Sequence, residues 1–190
     1  MSKLILSGDT SGTVTIDAPA IAGLNTMTLA AATGTLSPRV LSTAVASTSG
    51  TSIDFTGIPL WVKRITVMFS SVSLSSSAHL LVQLGSGSVT TSGYTAVSSR
   101  QGGTDSTTNV TSTSGFPIAS QGSSASFNGA LIINTLTNNV WVASGSIQSG
   151  STYTSTTGGT VTLSGTLDRV RIANTSTDTF DAGTINIMYE

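Results

Sequence analysis

The spacing of the large apolar residues limits the possible folds of this chain more than any other feature of its sequence. These residues come in short bursts that alternate with other residues, as in "RITVMFS", where Ile65, Val67 and Phe69 are separated by single residues. A period of two is the pattern of a β-strand with one buried face. No segment keeps the 3.6-residue apolar period of an amphipathic helix. The chain is therefore predicted to be all-β.

From residue 53 to the end, this alternation recurs between turns rich in Gly, Ser and Thr. The segments that carry it, besides residues 64–70, are "IDFTGI", "HLLVQLG", "ALIINTLTNNVWVASGSI", "TTGGTVTLSG", "LDRVRIAN" and "GTINIMYE". Asn138-Asn139 is predicted as the turn of a hairpin, and Gly158-Gly159 as a second turn. About eight strands without helical crossovers predict an antiparallel β-sandwich, jelly-roll-like in type.

Residues 1–50 differ from the rest of the chain and are predicted to form an extended N-terminal β arm followed by a linker. Val14 and Ile16, and later Met27 and Leu29, alternate with threonines, but the stretch holds no aromatic residue. Its predicted strands are kept short by Pro19, Gly23, Gly34 and Pro38. Such an arm has too little apolar bulk for a core of its own, so it must lie on its own globular domain, on neighbouring copies or on another protein. Ser42–Ser52 is interpreted as the linker, and residues 51–190 as the sandwich domain.

Composition excludes several classes of function. Charged residues make up 8% of the chain and the formal net charge is −1, whereas nucleic-acid binders and polybasic membrane contacts need a concentration of positive charge. There is no cysteine, so disulfides and thiolate metal sites are impossible. No apolar run approaches the ~20 residues that span a bilayer, and the start "MSKLILSGDT" does not predict a signal peptide. Abundant Thr, Val and Ile with so few charges favour ordered β structure over disorder.

Two stretches carry particular predictions. "GIPLW", Gly57–Trp61, follows one strand and precedes another, so it is predicted to be a corner in which Trp61 has a structural role. As neighbours on a strand, Lys63 and Arg64 point to opposite faces and cannot form one basic patch. The small polar residues of Gly85–Ser124 leave three alternatives open, which are a surface loop, a weak hairpin and part of a subunit contact.

No pattern in the sequence favours catalysis. His79 is the only histidine, so a Ser-His-Asp triad would have to use it, but its position at the start of a strand favours an edge or capping role. Asp178 and Asp181 lie close together, yet a calcium loop needs more carboxylates, so Asx-turn roles are favoured. Zinc lacks ligands. We predict no catalytic, cofactor-binding or metal-binding residues, no cofactor, and a non-enzymatic protein.

A resemblance adds to this interpretation. "IDFTGIPLWVKRITVMF", "LLVQLGSG", "WVASG", "GTLDRVRI" and "FDAGTINIMYE" resemble a group of small virion proteins of tailed bacteriophages. The group includes head decoration proteins and the tips of tail fibres or appendages. "GTVTIDAPAIAGLNTMTLAAATGTL" resembles the extended segment that often precedes these domains. The resemblance implies a β-sandwich homotrimer on the virion surface, made in the host cytoplasm, and it carries no catalytic residues.

The resemblance leaves two positions on the particle open. As a capsid decoration or cement protein, the trimer would sit on the major capsid protein and its arm would tie it to neighbouring subunits. As a tail-fibre tip, the arm would join the fibre shaft and the far loops would bind a host-surface glycan. The short chain has no shaft repeat or separate attachment domain, which favours decoration. A glycan-cleaving enzyme is the third and least favoured class.

Overall fold

The computed structural model of the chain describes residues 3–7, 11–17, 37–102, 107–123 and 125–190. Contacts divide the chain into an N-terminal unit, Met1–Leu36, and a body, Ser37–Glu190. The sequence assigns residues 1–50 to the arm together with its linker, whereas the contacts place the boundary after Leu36.

The described part of the N-terminal unit is a two-stranded antiparallel sheet. Strand β1 (Lys3–Ser7) pairs with β2 (Thr13–Asp17), with Ile5 opposite Thr15. Strand β2 is the predicted strand at Val14 and Ile16, while β1 was not predicted. Three large apolar side chains are about half exposed, at 57%, 53% and 45% for Ile5, Leu6 and Ile16. The predicted strand at Met27 and Leu29 lies outside the described residues.

The body consists of two antiparallel sheets. Its strands are β3 (Val40–Leu41), β4 (Val45–Ala46), β5 (Ile53–Thr56), β6 (Arg64–Leu74), β7 (Leu80–Ser86), β8 (Ser88–Val89), β9 (Thr95–Gly102), β10 (Thr108–Ser112), β11 (Phe116–Ile118), β12 (Ser126–Thr137), β13 (Val140–Ser149), β14 (Tyr153–Thr162), β15 (Arg169–Asn174) and β16 (Phe180–Tyr189). The nine-stranded sheet has the order β10-β9-β14-β13-β12-β6-β16-β3, and β4 also pairs with β16. The five-stranded sheet has the order β11-β7-β15-β5, with β8 on β7.

One hydrophobic core joins the two sheets. Ile65, Val67 and Phe69 of β6 are buried, as the alternation predicts, and they belong to the same apolar cluster as Leu80, Val82 and Leu84 of β7. Leu81 and Gln83, predicted on the opposite face of β7, are buried as well, at 5% and 7% exposure. Gly115 packs over them, because a Cβ at that glycine would lie 3.0 Å from Cγ of Gln83 and 3.3 Å from Cβ of Leu81. Strand β7 is thus covered on both faces.

The two predicted turns had different outcomes. Strands β12 and β13 form the predicted hairpin, and Asn138 in its turn has a positive φ of 33°. The Gly-Gly turn is wrong, because Gly158 and Gly159 lie inside β14 and pair with Val97 and Ala96 of β9. A Cβ at Gly159 would lie 2.6 Å from the Cβ of Ala96. Close packing between two strands therefore explains Gly159.

Residues 42–52, interpreted as a linker, are part of the body. Val45 lies opposite Ile185 of β16. Ser47 is fully buried, its hydroxyl donates to the carbonyl of Ala182 at 2.7 Å, and its N–H donates to the carbonyl of Gly183 at 2.9 Å. Small residues suit this position because the segment lies directly along the edge of β16.

In its described part, the stretch from Gly85 to Ser124 contains a hairpin and two strands of the smaller sheet, β8 and β11. Strands β9 and β10 pair with Val97 opposite Thr111, which agrees with the weak-hairpin alternative for this part. Strand β11 pairs with β7, and its Phe116 packs edge-on against Tyr94 at 5.1 Å between ring centroids. Two buried hydroxyls of the larger sheet donate hydrogen bonds to the backbone around β11. The Ser155 hydroxyl donates to the carbonyl of Ala119 at 2.6 Å, and the Thr157 hydroxyl donates to the carbonyl of Pro117 at 2.7 Å.

The predicted corner at Gly57–Trp61 is confirmed. It leads from β5 in the smaller sheet to β6 in the larger one, and the N–H of Val62 closes the turn on the carbonyl of Pro59 at 3.1 Å. In the described parts of the chain every regular element is a strand. The protein is all-β and antiparallel, with the two-sheet organisation of a β-sandwich. The jelly-roll connection and the extended arm stay predictions.

Candidate functional site

His79 is held by the backbone of a neighbouring loop. It immediately precedes β7, and its Nδ1 accepts a hydrogen bond from the N–H of Ser120 at 2.9 Å. A triad histidine has a carboxylate at that nitrogen, and here a backbone amide takes its place. Burial, together with the positive charge of Arg100, lowers the pKa of His79 below 6.5. Strand β7 lies between β11 and β15, so His79 stands at the start of an inner strand, and its bond to the Ser120 N–H corresponds to the capping alternative rather than the edge one.

Asp178 and Asp181 each accept a hydrogen bond from a different part of the chain. The carboxylate of Asp178 accepts the N–H of Ala78 at 3.0 Å, and the carboxylate of Asp181 accepts the hydroxyl of Ser73. The local Asx turn predicted for the aspartates is made instead by Asn174, whose Oδ1 accepts the N–H of Ser176 at 2.9 Å. Within the described ranges, no three His, Asp or Glu side chains form a group that could hold a metal ion.

The residues around the corner belong to a contact between chain segments far apart in sequence. Arg64 Nη1 and Arg39 Nε each lie 3.0 Å from the carboxylate of Glu190. Trp61 is 38% exposed, and its ring lies 5.9 Å from that of Tyr189. Tyr189 also lines a cleft of about 260 Å³ with Asp54 and Ser42. Trp61 therefore sits at the surface as part of a small aromatic pair.

The outer face of the nine-stranded sheet carries a row of uncharged residues, one from each of eight strands, which we call the central row. The strand register places opposite one another, in order, Thr111, Val97, Gly158, Ser144, Ile132, Thr66, Met188 and Leu41. On each long strand these residues alternate with buried ones, so they face away from the core.

A second uncharged row, called here the flanking row, runs beside the central row. It consists of Asn109, Ser99, Thr156, Ser146, Ala130, Met68 and Asn186. On the other side of the central row, the ion pair of Arg64 with Glu190 lies at the ends of β6 and β16. The two rows thus make a broad neutral surface of small, hydroxyl-bearing and apolar side chains.

A recess of about 670 Å³ lies near one end of the central row. Val97, Thr111 and Gly158 line it together with Tyr94 and Thr113 among others. A Cβ at Gly158 would meet no atom within 4 Å. The missing side chain of Gly158 therefore leaves open space above the sheet.

The outer face of the five-stranded sheet has the opposite character. Arg171 of β15 makes a bidentate contact with Asp54 of β5, at 2.7 and 2.8 Å. Arg169 Nε bonds the adjacent Asp168 at 2.7 Å, and this hydrogen bond is the main cause that lowers the pKa of Asp168. The two outer faces therefore differ, because the ion pairs of the five-stranded sheet lie on its paired strands, whereas on the nine-stranded sheet the ion pair of Arg64 with Glu190 lies beside two neutral rows.

Sequence reasoning missed the neutral surface, because the alternation in "TYTSTTGGTVT" identifies outward positions on one strand but not their neighbours. Comparison of the chain with family models, with curated proteins and with solved structures finds no match. Among the described residues there is no helix with the length and hydropathy needed to cross a bilayer.

Proposed function

We propose that this chain is a non-enzymatic structural protein of a bacteriophage virion, which coats or cements the head shell as a homotrimer. The observation that carries the proposal is the N-terminal sheet of β1 and β2. Two paired strands are at best marginally stable alone in water, and Ile5, Leu6 and Ile16 are about half exposed. Such a segment gains stability when neighbouring subunits cover it.

The chemistry of the body is compatible with this role. His79, Asp178 and Asp181 each bond backbone or hydroxyl groups of the fold rather than one another. The low charge content reduces both the number of titrations coupled to folding and the number of contacts that salt screens. A shell protein exposed to changing surroundings benefits from both properties. The partners in this proposal are two further copies and the major capsid protein.

Reconstitution of empty heads tests the proposal. Purified protein added to heads that lack it should raise their melting temperature, because a ligand that binds only the assembled state stabilises that state. A double variant, Leu6→Ser with Ile16→Ser, should bind heads at least tenfold more weakly, whereas Thr15→Ser on the same sheet should bind like the wild type. If the wild-type protein leaves the melting temperature of the heads unchanged, the cement role is wrong.

The exposed aromatic pair favours a second candidate, a tail-fibre or appendage tip that binds a host-surface glycan. Trp61 offers an exposed ring to the C–H face of a sugar, and Tyr189 and Asp54 line the adjoining cleft. Under this candidate, Trp61→Ala abolishes binding to host cells, while Leu136→Ala, which removes another exposed apolar side chain, does not. Equal binding by both variants would contradict the glycan site.

A further inference from the structure

We propose that copies of this chain associate head to tail through the outer face of the nine-stranded sheet, with Leu41 of one copy entering the recess above Gly158 of the next. The inference rests on the homotrimer of the proposed function and assigns the surface that forms it. It starts from the distribution of charge. The central and flanking rows hold no ionisable side chain, whereas the opposite outer face holds the Arg171–Asp54 and Arg169–Asp168 pairs.

Neutrality favours a second copy as the occupant. A copy brings the same uncharged rows, so the contact buries no unpaired charge and opposes no like charges, both of which are costly. A nucleic acid or an anionic membrane would instead need a basic surface. Depletion of charge at the centre with polar groups at the rim is also the usual composition of protein–protein interfaces.

Two exposed large apolar side chains belong to the central row. Of the five such residues in the described body, Leu41 and Val97 lie in that row, and Leu136 lies at the register shift near the end of β12. The other two, Leu60 and Trp61, belong to the corner turn. Leu41 is 63% exposed at one end of the central row. Its burial against a neighbour would remove apolar surface from water.

The two neutral rows form a long, narrow face. Seven strand spacings of about 4.8 Å by two rows each about 6.8 Å wide outline roughly 460 Å², about half of the ~800 Å² that each partner buries in a typical stable interface, so a stable contact must also cover side chains beside the rows. A sheet also twists by about 20–25° from one strand to the next, so the two ends of an eight-strand row face different directions. One end can therefore meet one neighbour and the other end a second neighbour.

Leu41 and the recess lie at opposite ends of the central row. This arrangement determines the type of symmetry that can relate the copies. Leu41 projects from β3, and the recess lies over β9, β10 and β14. A contact that joins two different patches is heterologous, and such contacts close into rings when the rotation between copies allows it. In a ring of three copies, Leu41 of each copy would occupy the recess of its neighbour.

Sedimentation equilibrium of the full chain with three variants tests the inference. The wild type should have three times the chain mass of 19.1 kDa. Gly158→Val places a branched side chain in the recess, where a Cβ would meet no atom within 4 Å. Leu41→Ser removes the exposed leucine, and Ser144→Lys puts a charge in the middle of the central row. Each should lower the association constant at least tenfold. Far-ultraviolet circular dichroism should remain that of the wild type, because all three positions face away from the core.

Two control variants make the same kinds of substitution outside the proposed interface. Leu60→Ser removes a side chain that is 70% exposed in the corner turn, and Thr56→Lys adds a charge on β5 of the other sheet. Both should keep the wild-type mass. A monomeric wild type, or variants that associate as tightly as the controls, would overturn the inference.

These results separate the inference from the proposed function. If all three variants keep the trimer mass and still stabilise heads, the proposed interface is wrong and the cement role is unaffected. A trimer that dissociates as expected but does not bind heads would support the interface and contradict the cement role.

Discussion

Tyr94 shows how one buried hydroxyl completes the smaller sheet. Strand β11 pairs with β7 only from Leu80 to Val82, so the N–H of Leu84 lies beyond its end. The Tyr94 hydroxyl accepts that N–H at 2.7 Å. Tyr94→Phe should destabilise the protein by about 1–3 kcal/mol, the usual cost of a buried donor left without a partner. Urea denaturation would measure this loss, and an unchanged free energy of unfolding would show that the bond adds nothing.

The same residue predicts how stability depends on alkaline pH. Burial raises the pKa of Tyr94 from 10.0 to about 12. A raised pKa in the folded state means that the stabilisation is complete below pH 10 and is lost as the pH rises towards 12. Wild-type protein should therefore lose stability over this range more steeply than Tyr94→Phe. Parallel wild-type and Tyr94→Phe curves would contradict the assignment.

His79 should make the protein less stable as the pH falls, the opposite of the dependence that Tyr94 produces at alkaline pH. Its pKa is lowered, first by burial and then by Arg100, so the unfolded chain binds the proton more tightly. The stabilisation is complete above about pH 6.5 and falls as the pH decreases below it. His79→Asn keeps an acceptor for the N–H of Ser120 without titrating, so its stability should vary less between pH 7.5 and 5. Urea denaturation at several pH values checks this, and equal slopes in both proteins would exclude His79 as the cause.

At the scale of single elements, strand β14 contains two adjacent glycines in different surroundings. A Cβ at Gly159 would lie 2.6 Å from Ala96 on the inner face, and one at Gly158 would lie in open space. Gly159→Ala should destabilise the body by about 1–3 kcal/mol through overpacking. Gly158→Ala should stabilise it by about 0.4–1 kcal/mol by restricting the unfolded chain. Denaturant titration of the two variants gives the comparison, and equal effects would refute the assigned difference.

The same strands mark where sequence-based prediction succeeds and where it fails. Strands with large apolar residues on their inner face, such as β6 with Ile65 and Val67, follow from alternation alone. Strands β9 and β14 have Ser98, Ser155 and Thr157 inside, where hydroxyls bond the backbone around β11 and each other. Hydropathy cannot distinguish these buried hydroxyls from exposed ones. The turn assigned to Gly158-Gly159 was wrong for a different reason, because a Gly-Gly pair is also used where two strands pack closely, as Gly159 does against Ala96.

At the scale of the whole molecule, the neutral outer surface depends on pairing between strands distant in sequence. Thr66 lies opposite both Ile132 and Met188, and Leu41 lies opposite Met188. The alternation in each strand predicts which residues point outward, but not which strands are neighbours. The candidate surface could therefore be recognised only once the register of eight strands was known.

The position of β16 predicts that the fold is completed only by the last residues of the chain. This C-terminal strand pairs with β6 on one side and with β3 and β4 on the other. It buries Phe180, Ile185 and Ile187, which is worth about 5–9 kcal/mol at ~1.5–3 kcal/mol per side chain, a large part of the ~5–15 kcal/mol that holds a domain folded. Removal of residues 180–190 should therefore abolish the cooperative unfolding transition.

Removal of residues 1–36 is the matched deletion, because the core cluster of the described residues comes entirely from the body. It should leave a cooperative transition within about 1 kcal/mol of the wild type, since that core remains complete. Thermal unfolding followed by circular dichroism compares the two deletions. A body that unfolds without residues 1–36, or one that folds without residues 180–190, would show that stability is distributed differently. With the expected result, the free energy of folding lies in the two-sheet body, and the N-terminal unit is available for contacts with other chains.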